Sequence, residues 1–154
     1  MIEPIRTAVS IDCSPEHAFD VFTNAMSDWW PLEHHSIAVD AQGDLKAESV
    51  VVEPRVAGRI YEVMSDGTEG NWGTILVWEP PRRLVIAWKP NTNANPPTEI
   101  EISFTREGEG TRVDLEHRGW ERLGAIAEEA KADYGEGWGI TLQRFSRAAH
   151  ETAS

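Results

Sequence analysis

The chain has 154 residues, 40% hydrophobic and 26% charged, with no long polar or low-complexity tract, a globular profile large enough for one sizeable core. Its net charge of −12, with nothing more basic than the Arg82–Arg83 pair, opposes phosphate backbones and anionic bilayers, so neither nucleic acid nor a membrane is an expected partner. Apolar runs fall far short of the roughly 20 residues of a membrane span, and a single cysteine, Cys13, allows neither an internal disulfide nor a multi-cysteine zinc site.

The N-terminus lacks the basic, apolar and small-residue pattern of a signal peptide, so a cytoplasmic location is expected. Ile5, Thr7, Val9 and Ile11 alternate with Arg6, Ala8 and Ser10, the period of a strand. Next, Ser14 is a natural N-cap and Pro15 suits the first helical position, and Ala18, Phe19 and Phe22 share one face of the short helix that follows. The segment "MSDWWPLEHHS" (26–36) ends at or before Pro31 any helix it contains, and a polar loop follows it.

From Ser49 to Arg118 the pattern is a run of about six antiparallel strands divided by turn signals: "VAG", "SDGTEG", "EPPRR", "TNANPP" and "EGEG". In the last hairpin Ile100, Ile102, Phe104, Val113, Leu115 and His117 share one face. Glu99, Glu101, Arg112, Asp114 and Glu116 share the other, which is expected to be wet. Two helical stretches close the chain, "WERLGAIAEEAKADY" and "GEGWGITLQRFSRAAHETA", the second softened at its start by Gly135, Gly137 and Gly139. No β-α-β alternation occurs, so a doubly wound parallel sheet is excluded. An α+β fold is expected, a curved antiparallel sheet of six to seven strands gripping a long C-terminal helix, as one domain over residues 1–154.

Three stretches, "SPEHAFDVFT", "VWEPPRRLVIAW" and "GWGITLQRF", make the chain resemble the START-like (SRPBCC) superfamily, in the branch named after activators of heat shock protein 90 ATPase. The likeness spans roughly residues 5–150. It implies the helix-grip fold with an internal cavity between sheet and terminal helix. It also implies the habits of the superfamily, whose members bind lipids, sterols, polyketides and other apolar molecules there, a few of them catalysing cyclisation or hydrolysis.

Seven tryptophans, more than phenylalanine and tyrosine together, are the unusual feature of the composition. Each brings a large apolar body and one N–H that needs an acceptor. Trp29, Trp30, Trp72, Trp88 and Trp138 are the expected cavity walls, with Trp29–Trp30 as a lid. His117, at the end of an apolar face, is the expected polar contact and ligand residue. Glu62 shares parity with Ile60 and Met64; if that face is the inner one, it is a buried carboxylate and a second candidate acid or base. Adjacent Glu33, His34 and His35 point in different directions on a regular backbone, which argues against a metal pair, and no cofactor is expected. Cys13 precedes a helix N-terminus, but no histidine is placed beside it, and a small buried cysteine is the simpler reading. The leading expectation is binding of a small, largely apolar or aromatic ligand. The alternatives are an enzyme of cyclase or hydrolase type using His117 or Glu62, and a chaperone-like protein-interaction module with an exposed patch at Trp29–Trp30.

Overall fold

The computed structural model describes residues 2–33, 35, 36, 38, 43–90 and 96–152. The first strand, β1 (Ile5–Ile11), leads into α1 (Pro15–Asn24) and a single turn, α2 (Met26–Trp29). Six strands follow: β2 (Ala47–Val52), β3 (Arg59–Met64), β4 (Glu69–Glu79), β5 (Arg83–Trp88), β6 (Thr98–Glu107) and β7 (Gly110–Arg118). A 3-10 segment (Trp120–Ile126) then gives way to the terminal helix α3 (Ala127–Thr152).

All seven strands form one antiparallel sheet in the order β1-β7-β6-β5-β4-β3-β2, so that β1 closes on the last strand and the rest is a meander. Register irregularities between Ala47 and Ser49, Ile60 and Tyr61, and Ile75 and Val77 bend the β2–β5 half. At the second of these, Gly73 of β4 lies so close to β5 that a Cβ would stand 2.3 Å from the Ala87 carbonyl oxygen. The sheet curls into a half-barrel around α3, the helix-grip arrangement.

Ser14 caps α1, its hydroxyl accepting from the His17 amide at 3.1 Å, with Pro15 at the first helical position. The face of α1 carrying Ala18, Phe19 and Phe22 packs into the core with Trp29, Phe104 and Phe145. The inner face of the β6–β7 hairpin is buried from Ile100 to Phe104 and from Val113 to His117. Its outer face carries an ion-pair ladder instead of isolated charges. Glu101 accepts from Arg83 at 2.6 Å and from Arg118 at 2.7 Å, while Arg118 also meets Glu99 and Glu116.

The C-terminal region departs from its sequence pattern. The break falls at Gly124, whose φ of 63° and ψ of −127° no helix allows, inside the stretch read as the first helix. Beyond it α3 runs unbroken through all three glycines. Three glycines cost a helix roughly 2–3 kcal/mol against alanine. Anchoring of Tyr134 and Trp138 to the sheet offsets that local preference.

Candidate functional site

One face of α3 presents Tyr134, Trp138, Thr141, Leu142 and Phe145 towards the sheet, at the spacings that put side chains on a single helical stripe. Near its N-terminal half, sheet and helix do not meet. They leave a cavity of about 280 Å³, lined from the sheet by Trp72, Trp88 and Pro90. From the helix come Asp133, Tyr134, Gly137, Trp138 and Thr141, and from the segment after α2 come Trp30, His35 and Ser36.

Trp30 is the hub of the wall. Its ring centroid lies 5.0 Å from that of Trp72 and 5.8 Å from those of Trp88 and Trp138, the last nearly perpendicular at 86°. Trp72 and Trp88 meet at 5.7 Å. Offset and edge-on pairs at these distances favour one another beyond their buried area.

Every one of these four indole N–H groups is taken by the protein. Trp30 donates to the His35 carbonyl at 2.8 Å and Trp72 to the Glu62 carboxylate at 2.7 Å. Trp88 donates to the Tyr134 hydroxyl at 2.9 Å and Trp138 to His117 Nδ1 at 3.1 Å. The wall therefore offers aromatic faces and carbon edges, while the polar contacts it can give a guest come from the rim.

His117 and Glu62 stand behind this wall. Both are fully buried on the inner face, and neither lines the cavity. Because Nδ1 of His117 accepts from Trp138, its proton sits on Nε2, which donates to Thr98 Oγ1 at 2.8 Å; Thr98 in turn donates to the Trp88 carbonyl. Burial lowers the His117 pKa from 6.5 to about 3, so the ring is neutral at physiological pH. Glu62 accepts from Trp72 with one oxygen and from the Ala38 amide, at 3.0 Å, with the other. Each candidate acid–base group thus holds a tryptophan from the rear, and they do not converge on a common point in the cavity.

Of the expected walls, Trp30, Trp72, Trp88 and Trp138 are brought together. Trp29 is set apart: it is core, donating to the Val21 carbonyl and packed on Phe22 and Phe145. Both members of the Trp29–Trp30 pair are buried, so no exposed patch forms there. Glu33 reaches α3 and pairs with Arg144 at 2.6 Å, while His35 borders Gly137. His34 lies outside the described residues, and among those described no three His, Cys, Asp or Glu side chains gather as a metal site. Cys13 is buried, which raises its pKa with help from Asp12 and keeps the thiol protonated. Among the described residues no helix is long and apolar enough to cross a membrane.

Sequence reasoning passed over Tyr134, Asp133, Thr141 and Ser36. The signal for two of them was available: Tyr134 and Thr141 lie four residues before and three after Trp138, on one helical face. For Tyr134 it is visible only if the helix is carried back through Gly135 and Gly137.

The family model described as activator of Hsp90 ATPase homolog 1-like protein matches residues 12–150, and the chain belongs to that family. Among solved structures it is similar to an anthrahydroquino-gamma-pyrone synthase, Txn09, solved as a complex, at 34% identity over 95% of this chain and 96% of that one, with a TM-score of 0.62. It is similar also to CalC of Micromonospora echinospora, a self-sacrificing resistance protein, at 27% identity over 99% and 97%, TM-score 0.74. The Aha1 dimer of Colwellia psychrerythraea shares the fold at 17% identity over 97% of each chain, TM-score 0.63. No functionally curated protein matches.

Proposed function

We propose that this member of the activator of Hsp90 ATPase homolog 1-like family binds a small, flat, largely aromatic molecule in the cavity between its sheet and α3. The observation that carries the reading is the wall of Trp30, Trp72, Trp88 and Trp138, whose N–H groups are all engaged by the protein. Such a wall is pre-organised: its rings are fixed before a ligand arrives, and little side-chain freedom is lost on binding. At about 280 Å³ the space sits near the lower end of ligand pockets, which fits a compact fused-ring guest. The similar synthase supports the reading, since its name gives it a fused aromatic product.

His117 and Glu62 then act as positioning residues that set the indole planes, and Ser36, Tyr134 and Thr141 supply polar contacts at the rim. A catalytic role for His117 or Glu62 draws less support, because their ring nitrogens and carboxylate oxygens are engaged behind the wall. A chaperone or other protein partner would have to use a surface other than Trp29–Trp30, which is buried.

The test is intrinsic tryptophan fluorescence titrated with naphthols, polycyclic hydroquinones, sterols and fatty acids, in the wild type and in Gly137→Leu. Saturable quenching by the fused aromatics, lost in the variant that fills the cavity, is expected. Indifference to every compound, or equal quenching in both proteins, would overturn the proposal.

A further inference from the structure

The charges around the cavity narrow the class of guest further, an inference that rests on the aromatic-ligand reading above. Among the described lining residues the one carboxylate is Asp133, and there is no lysine or arginine. Arg144 is drawn away to Glu33 at 2.6 Å, and Lys89 and Lys131 form no part of the wall. Asp133 sits on the first half of α3 with Glu128, Glu129 and Glu136, opposed on that stretch by Lys131 alone, in a chain of net charge −12. His35 and Tyr134 are the other titratable side chains lining the space.

The wall itself is suited to a cation. Ring faces carry negative potential, tryptophan most of all, and attract ammonium groups within about 6 Å of the ring. Two of the four indoles donate to groups that push electron density back into the ring, Trp72 to the Glu62 carboxylate and Trp138 to the neutral imidazole of His117. With their N–H groups occupied, these indoles have no N–H left to donate to a guest. An anionic or phosphorylated guest would find neither a cation nor an indole donor, whereas a guest with a positive end would find aromatic faces and one carboxylate.

We infer that the cavity takes an aromatic molecule bearing a protonated or quaternary amine, its rings on the tryptophan wall and its positive group at the Asp133 rim. The experiment uses probes that differ only in that group: 2-naphthylmethylamine, its N,N,N-trimethylammonium analogue and 2-naphthylmethanol. Binding is measured by calorimetry at pH 8, where an ordinary histidine is neutral and an aliphatic amine remains charged. Both cations are expected to bind about tenfold or more tightly than the alcohol. In Asp133→Asn that advantage is expected to fall below about threefold, as the carboxylate's share is lost. An alcohol that binds as tightly as the amine, or an advantage unchanged in Asp133→Asn, overturns this inference and leaves the aromatic-ligand proposal standing. Binding of none of the three sinks both.

Discussion

His117 should make the stability of this protein fall on mild acidification, by an amount that follows from its burial. The imidazole is fully buried, and its pKa falls from 6.5 to about 3 on folding. Well above pH 6.5 it is neutral in both folded and unfolded chains and contributes no pH dependence. Between pH 6.5 and about 3 the unfolded chain binds a proton that the folded one refuses, so stability is lost as the pH drops through that window. The slope approaches about 1.4 kcal/mol per pH unit, and between pH 7 and pH 5 the loss comes to about 2 kcal/mol. For a chain of this size that is roughly 4–8 °C in Tm. The assay is denaturant unfolding at pH 7, 6 and 5 for the wild type and His117→Gln, whose amide can accept from Trp138 but does not titrate. Glu101 and Glu116 on the outer face have lowered pKa values and act at lower pH in both proteins, so the difference in slope isolates His117. Parallel curves for the two proteins between pH 7 and pH 5 would refute the reasoning.

Other expectations concern the walls and the sheet. Glu62→Gln turns an amide N–H towards one of two buried donors, Trp72 or the Ala38 amide, and should cost about 1–3 kcal/mol in denaturant unfolding, with altered tryptophan emission. Gly137→Leu adds a side chain whose Cβ meets His35 at an ordinary 3.6 Å and whose remainder enters the cavity. Calorimetric unfolding should show stability kept or raised by up to about 1 kcal/mol while ligand binding falls at least about tenfold. Gly73→Ala drives a methyl into the Ala87 carbonyl and should destabilise the β4–β5 pair by about 3 kcal/mol, read as a lowered urea midpoint. Glu101→Gln should cost only about 0.5–1 kcal/mol at neutral pH because the ladder is partly exposed. Its hydrogen bond to Arg83 leads the lowering of the Glu101 pKa, so the gap between wild type and variant should be present above about pH 4.5 and close as the pH falls below it.

Much of this was legible in the sequence, for reasons that differ by element. The β6–β7 hairpin was clear because its two faces have opposite chemistry, so parity alone buries His117 and exposes the ladder. The inner placement of Glu62 needed the register of β3, which a short strand with apolar residues on both parities does not reveal. Trp30 and Trp29 are indistinguishable as letters; their separation into cavity wall and core depends on α2 ending between them. The continuous α3 was hidden because Gly135, Gly137 and Gly139 argue locally against it, while the bonds of Tyr134 and Trp138 that hold it come from strands far away in the chain. Tyr134 and Asp133 were missed with it.

The most direct test of the central proposal is to watch the seven indole N–H resonances by 15N–1H correlation spectra during titration with 2-naphthylmethanol, its methylamine and a naphthohydroquinone. A fused aromatic guest in this cavity is predicted to shift the signals of Trp30, Trp72, Trp88 and Trp138 together and saturably. Trp78, half-buried against Phe19, and Trp120, buried beside His117 away from the cavity, should remain in place. Shifts confined to Trp78, or no saturable change in the four wall tryptophans with any of the three compounds, would contradict it.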